Sequence, residues 1–340
     1  MSKKNSSVLS LKSIFKNNKK ILNTYLSFRL RLKNIINKKP FLVALSGGPD
    51  SLALTALSKM YQYDNKSKVF FVLIDHGIRK NSSSEANLVK KLLRKKKINL
   101  TIIKNNKKIK KNIQSEARKV RYDLLLKYCK KKKIEFILTG HHSDDQIETF
   151  LIRLSRGSGI QGLSSMSMTT KLQGNIKVIR PLLDFKKNYL TYLASSVFGK
   201  FIKDPSNKDK KYLRTKIRLL KKELEKGGIH HDQILKSINN LASTKETINQ
   251  YLNKVIKSCI KKKKNKTLVK LEKLNLETEE IQLRTLSYAI RDFSNSYYPP
   301  RSKKILNVLK RLHSREKLKL TLGGCFLEKL GNSLSITEEI

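Results

Sequence analysis

Short apolar runs alternate with amphipathic stretches through the first half of the chain. FLVAL (41–45), VFFVLID (69–75), INLTII (98–103) and IEFILTG (134–140) are continuous and rich in β-branched and aromatic residues, the pattern of strands buried on both faces. Between them apolar residues recur at helical spacing. Leu52, Leu54, Ala56 and Leu57 follow the first run; Leu88, Leu92 and Leu93 lie within 84–97; Ala117, Val120, Leu124 and Tyr128 lie within 113–132. Strand, helix, strand in strict alternation predicts an α/β fold, a parallel sheet with helices on both faces. Ahead of the first strand, Leu11, Ile14, Phe15, Ile21, Leu22 and Tyr25 suit an amphipathic helix packing beside it.

Past residue 200 the pattern changes. IKDPSNKDKKYLRTKIR holds a Pro and Asn turn and then a basic helix, and 212–312 reads as helical. The end alternates and turns at Gly323-Gly324, which predicts a small β hairpin. The expected organisation is an N-terminal helical segment at 1–38, an α/β domain at 39–200, a mainly helical domain at 201–315 and a small hairpin and tail at 316–340. KKKKNK (261–266) reads as a solvated loop.

In open parallel sheets ligands bind outside the carboxyl ends of strands, and three motifs sit there: SGGPDS (46–51), IDHGIR (74–79) and TGHHSDDQIET (139–149). The first has the layout of a phosphate cradle, a strand followed by a glycine turn and the N-terminus of a helix. It is neither GxxxxGK[ST], since no Lys follows the glycines, nor GxGxxG. The third crowds His141, His142, Asp144, Asp145 and Glu148 into eight residues. As an ordinary helix start it makes Asp144 the N-cap, but leaves two adjacent histidines at a strand end unexplained. A closed zinc site lacks its further ligands; magnesium carried by a nucleotide needs only one or two carboxylates.

The 340-residue chain has a formal net charge of +49, which favours a polyanionic partner unless it reflects only the abundance of Lys with Asn and Ile. No acid precedes Asp50, so 1–40 has the charge of an organellar transit peptide, but it has few Arg and its apolar spacing favours a structural helix. No run of 18 apolar residues predicts a membrane span. Cys129, Cys259 and Cys325 are far apart with no CxxC, which supports neither a disulfide framework nor a cysteine metal site and fits the cytoplasm.

SGGPDS, DHGIR (75–79), EARKVRY (116–122), GHHSDDQIET (140–149), RGSGIQGLSSM (156–166), RPLL (180–183) and DPSNKDKKYLRTKIR (204–218) stand in an order that resembles the tRNA(Ile)-lysidine synthetases, members of the PP-loop, or N-type ATP pyrophosphatase, superfamily. The likeness is strong over 41–220 and weak beyond, where it rests mostly on TLGGC. It implies a Rossmann-like PP-loop domain and a ligase that joins L-lysine to carbon 2 of the wobble cytidine in the CAU anticodon of tRNA(Ile). ATP first adenylates the base, releasing pyrophosphate; lysine then displaces AMP, and the codon read changes from Met to Ile.

The resemblance also implies roles. Ser46, Gly47, Gly48, Pro49 and Ser51 form the pyrophosphate cradle, Asp50 takes Mg2+ beside the phosphates, and Asp75 and His76 border the adenosine. Arg118 and Arg121, three apart on one helix, neutralise phosphates or clasp the lysine carboxylate. His141, His142 and Asp145 share contacts to the phosphates and the lysine amine and removal of its proton, in a division left open. Lys210, Lys211, Arg214, Lys216 and Arg218 face the tRNA backbone. A cytidine thiolase of the same superfamily is the alternative, although such enzymes carry paired cysteines. Oligomeric state stays open, a homodimer included.

Overall fold

A computed structural model of the chain describes residues 10–78, 81–107, 113–202, 211, 213–296, 299–314 and 318–339. The chain divides into two compact units, 1–241 and 242–340. The first contains helices α1 (Leu11–Asn17) and α2 (Lys19–Ile35), then β1 (Phe41–Leu45), α3 (Pro49–Asn65), β2 (Val69–Asp75), α4 (Ser82–Arg94), β3 (Leu100–Lys104), α5 (Ile113–Lys132) and β4 (Phe136–Leu138). It continues with α6 (Ser143–Leu154), α7 (Ile160–Leu163), β5 (Thr169–Lys171), β6 (Lys177–Ile179), α8 (Lys187–Phe198) and α9 (Leu213–Lys226), and the division falls inside α10 (His231–Cys259).

The sheet runs β3-β2-β1-β4-β6-β5, parallel except for β5. The continuous apolar runs are explained by burial on both sides. Phe41, Val43, Leu45, Phe71 and Leu73 enter the larger core with α2, α3 and α8, whereas Leu42, Val72 and Ile74 enter a second core with Leu125 and Cys129 of α5. The β5–β6 hairpin is not legible in the sequence. Its two strands are three residues each, too short to show a period.

The amphipathic N-terminal stretch is two helices. Asn18 is extended (φ −124°, ψ 100°), and its Oδ1 accepts from the Ile21 amide at 3.1 Å, ending α1 and capping α2. Leu11, Phe15, Ile21 and Tyr25 are buried and Ile14 and Leu22 pack against the same core, as the spacing predicts for a structural segment.

The second unit holds most of α10, β7 (Ile260–Lys262), β8 (Thr267–Lys270), α11 (Leu271–Leu274), α12 (Glu279–Phe293), α13 (Ser302–His313), β9 (Lys319–Thr321), β10 (Cys325–Leu330) and β11 (Ser333–Glu338). Its strands form an antiparallel sheet, β7-β8-β11-β10-β9, against which α12 and α13 bury Leu286, Ile290, Ile305 and Leu309. Two expectations are corrected by this sheet. The terminal hairpin belongs to a five-stranded sheet, and 212–312 is not wholly helical. The lysine run closes the β7–β8 hairpin, where the Lys263 amide donates to the Lys266 carbonyl at 2.8 Å. The Gly323-Gly324 turn stands as expected: both glycines have positive φ (67° and 75°), the requirement of a two-residue hairpin loop. Among the described residues no helix is long and apolar enough to cross a membrane.

Candidate active site

The strand order reverses between β1 and β4. From β1 the chain builds outward through β2 and β3; it then returns to place β4 on the other side of β1 and continues to β6. β1 and β4 are in parallel register, Phe41 with Phe136 and Val43 with Leu138, so the loops after them flank one crevice, the position where open α/β sheets bind ligands. SGGPDS and TGHHSDD are those loops.

Glycines make the close approach possible. A β-carbon on Gly140 would lie 3.0 Å from the Asp50 carbonyl oxygen and 3.2 Å from the Ser51 amide nitrogen, both backbone atoms. Gly47 has φ +83°, and its β-carbon would meet Val89 Cγ2 at 2.7 Å. The serines brace the turn: Ser51 Oγ donates to the Gly48 carbonyl at 3.0 Å and accepts from the Ser46 amide at 3.3 Å. Ser46 Oγ lies 3.3 Å from Ser51 Oγ. Gly48 is the N-cap of α3, with no side chain capping it, and Pro49 starts the helix. Ser51 is buried and committed to the loop, whereas Ser46 is exposed.

Asp50 and the second loop form an acidic cluster around a buried histidine. His142 Nε2 is 3.5 Å from Asp50 Oδ2 and 3.6 Å from Asp145 Oδ2. Burial alone would lower the His142 pKa, but the Asp50 hydrogen bond and the charges of Asp145, Asp50 and Asp144 outweigh it and raise it. His142, not Asp144, is the N-cap of α6; Asp145 at the third helical position accepts from the His142 amide at 3.1 Å, half of a capping box. Asp144 instead holds Lys221 Nζ at 2.5 Å. Burial would raise its carboxyl pKa, but Lys221, His142 and the Lys187 amide together keep it below the usual range.

His141 faces a different field. Its Nδ1 lies 2.9 Å from the Thr139 hydroxyl. Burial first, then Arg180, Arg118 and Arg214, pushes its pKa well below the ordinary value, so the ring is neutral at pH 7. Arg180, buried after β6, donates from Nη1 to the Ser167 carbonyl and Thr170 Oγ1, each at 2.8 Å. It is not among the expected site residues, although a lone Arg between VI and PLL is the available signal. Arg121 does not join this group: its Nε sits 3.4 Å from His76 Nε2, and burial together with Arg121 lowers the His76 pKa to about 4. Asp75 accepts from Ser83 Oγ at 2.6 Å and the Gly77 amide at 3.1 Å, which shapes the loop after β2.

The basic helix after residue 204 divides between two tasks. Lys210 lies outside the described residues. Lys211, Arg214 and Lys216 are exposed. Arg218 turns inward, with Nε 2.6 Å from Oε1 of buried Glu148, so its guanidinium fastens α9 to α6. Sequence spacing could not show this, because Arg218 and Glu148 are 70 residues apart.

A cation accompanying nucleotide phosphates fits Asp50. Its Oδ1 is buried and makes no hydrogen bond, which leaves one lone-pair-bearing oxygen to be satisfied. Among the described residues no group of three or more His, Cys, Asp or Glu forms a metal cage. The three cysteines are buried, and burial pushes the Cys129 thiol up to about 12. These are properties of inert core thiols.

The PP-loop domain family matches residues 17–224. The relatives that the chain matches include two named tRNA(Ile)-lysidine synthase. That of Wolbachia pipientis wMel is 34% identical, over 92% of this chain and 75% of the relative. That of Wolbachia sp. subsp. Brugia malayi is 33% identical, over 87% and 70%. Among solved structures, a U34-tRNA thiolase from Methanococcus maripaludis superposes with a TM-score of 0.55, at 21% identity, over 66% of this chain and 80% of the other, a likeness of fold.

Proposed function

The chain belongs to the tRNA(Ile)-lysidine synthase family of PP-loop proteins, and on that premise we propose that it ligates L-lysine to carbon 2 of the wobble cytidine of tRNA(Ile) in the cytoplasm, consuming ATP. It is an ATP-using tRNA-modifying ligase. The observation that supports the assignment of residues is the packing of Gly140 on the Asp50 and Ser51 backbone, which sets the SGGPDS loop beside the His141–Asp145 cluster.

In the first half-reaction cytosine O2 attacks the α-phosphorus of ATP; the P–O bond to the β-phosphate breaks and pyrophosphate leaves. Gly47, Gly48 and the first turn of α3 present backbone N–H groups to the departing anion, with the Ser46 hydroxyl beside them. Asp50 would hold Mg2+, which when bound would neutralise phosphate charge. Asp75 and His76 line the nucleoside side after β2.

In the second half-reaction the lysine ε-amine attacks C2 and the C2–O bond to AMP breaks. The amine arrives as an ammonium and must lose a proton. His141, neutral and held at Nδ1 by Thr139, meets the ammonium without charge repulsion and passes its proton on to water, whereas His142 is drawn toward its protonated form by Asp50 and Asp145. Asp145 attracts the ammonium, and Arg118, Arg180 and Arg214 serve the anions: the AMP phosphate, the lysine carboxylate or the RNA backbone.

The test is AMP and pyrophosphate release from ATP with transcribed tRNA(Ile) bearing CAU. Release that requires this RNA, with labelled lysine transferred to it, supports the reading. Turnover with sulfide in place of lysine, or turnover without RNA, would sink it.

A further inference from the structure

Gln146 follows Asp145 directly on α6, and none of the steps above uses it. The residue is buried, and both ends of its amide are engaged. Oε1 accepts from the Met166 amide and Nε2 donates to the Met166 carbonyl, each at 2.8 Å. A side chain thus pairs with one backbone residue as a neighbouring antiparallel strand would. α6 grips the same segment again. Ser165 Oγ donates to the Gln146 carbonyl at 2.8 Å, and Arg153 Nη1 donates to the Gly162 and Ser165 carbonyls at 2.6 and 2.9 Å. The backbone at Ser165 has φ +56°, the left-handed region that a serine rarely adopts. Such a conformation persists where its surroundings overdetermine it, and these bonds to α6 do so.

The clamped segment is the one that holds Arg180. The Ser167 carbonyl and Thr170 Oγ1 accept from its Nη1, and the Met168 carbonyl accepts from its backbone amide, each at 2.8 Å. Met166 and Ser167 are neighbours, so Gln146 and the guanidinium grip adjacent peptide units. After burial, the charge of Arg180 acts on His141 ahead of those of Arg118 and Arg214. One helix therefore carries the acid Asp145 in its first turn and, through the next residue, fixes a cation of the same site. An apolar side chain of similar size would fill the space of Gln146 without two buried polar groups to satisfy. What the amide adds is register. Its two bonds fix the segment along its own direction, in which apolar contacts let a chain slide.

We propose that Gln146 is a positioning residue for the ligation: it fixes the 166–170 segment and, through it, the place of the Arg180 guanidinium relative to Asp145. The proposal rests on the reading above, in which Arg180 serves an anion and Asp145 attracts the ammonium. Gln146 itself touches no substrate. It acts on the rate at which bound substrates react and leaves the affinity for tRNA alone.

The experiment is a double-mutant cycle of Gln146→Leu against Arg180→Met in the full chain. The readout is the single-turnover rate of AMP formation at saturating ATP, lysine and transcribed tRNA(Ile), with tRNA affinity measured alongside. Gln146→Leu should lower the rate on the order of ten-fold, short of the ~100-fold of a full ångström's misplacement, and leave tRNA affinity within about two-fold. In the Arg180→Met background the same substitution should change the rate by less than about two-fold, because the group it acts through is gone. Thr170→Val removes one acceptor of the guanidinium and leaves the Gln146 clamp intact. It should lower the rate in the parent and be silent in the Arg180→Met background. Equal fractional losses from Gln146→Leu in both backgrounds would overturn the proposal, since Gln146 would then support the helix in general. A parent-like rate in Gln146→Leu, or in Arg180→Met, would overturn it as well. If Gln146→Leu melts early, Gln146→Glu carries the cycle: it keeps the acceptor for the Met166 amide and loses the donor to the Met166 carbonyl. Absence of AMP formation by the unaltered chain would overturn the proposed function itself, a result distinct from an active parent that Gln146→Leu does not impair.

Discussion

Arg218 and Glu148 form a two-pronged ion pair, Nε to Oε1 at 2.6 Å and Nη2 to Oε2 at 3.4 Å, with the carboxylate buried in the helix that carries Asp145. The pair fastens α9 to α6, and Lys221 with Asp144 fastens it a second time about one turn away. Burial would lower the Arg218 pKa, yet Glu148, with Asp145 and Asp50, outweighs it and the charge is held more firmly than in water.

Removing one partner leaves a buried charge alone. Arg218→Ala should therefore destabilise the first unit by about 2–3 kcal/mol, below the ~3–5 kcal/mol of a fully buried pair because the guanidinium is partly exposed. Glu148→Leu combined with Arg218→Met should recover most of that stability. Urea denaturation measures both. Unchanged stability in Arg218→Ala with weakened tRNA binding would return Arg218 to an external role.

Gly140→Ala tests the contact between the two loops. The added methyl meets backbone, which cannot swing aside as a flexible side chain can. The loops must separate by a few tenths of an ångström or more, and misplacement of this kind lowers kcat/KM by up to about 100-fold. AMP formation is the readout, with tRNA affinity unchanged. Activity within about two-fold of the parent would mean that the loops need no such closeness.

Asp50→Asn removes the charge from a carboxylate whose buried Oδ1 has no hydrogen bond. AMP formation should nearly vanish and tRNA binding should survive. The magnesium dependence of ATP binding, followed by titration, should flatten in the variant. Normal turnover would remove Asp50 from the metal role.

His76 provides a pH dependence whose sign is determined by burial. Its folded pKa is about 4, below the ordinary 6.5, so between those values the unfolded chain takes up a proton that the folded chain refuses. Stability from this group is intact above about pH 6.5, declines as pH falls toward 4, and changes no further below it. His76→Asn should flatten that part of the stability–pH curve, measured by thermal melts from about pH 7 to about pH 4. A curve of unchanged slope would place the acid sensitivity in other groups.

The sheet and the position of the crevice were legible in the sequence, because burial on both faces demands continuous apolar runs and periodicity registers that directly. FLVAL and VFFVLID coincide with β1 and β2, and the helix expected over 113–132 coincides with α5. The glycine turn of SGGPDS was legible for a related reason: positive φ at Gly47 is a local backbone requirement, written in a single residue. Strands of three or four residues leave no period to read, so β5, β6, β7 and β8 are not legible in the sequence.

What the sequence determined by itself was therefore which side chains each motif brings and the strand end on which it sits. Tertiary structure alone decided how the charges divide. His141 and His142 are adjacent in the chain, yet arginines from α5, α9 and the end of β6 surround the first and aspartates from α3 and α6 the second, which drives their pKa values apart. Arg214 and Arg218 lie four apart on one helix, but only Arg218 meets Glu148 of α6. Coulomb and desolvation effects depend on distance in space, and residues 70 or more apart in sequence become neighbours only when the sheet order brings their loops together.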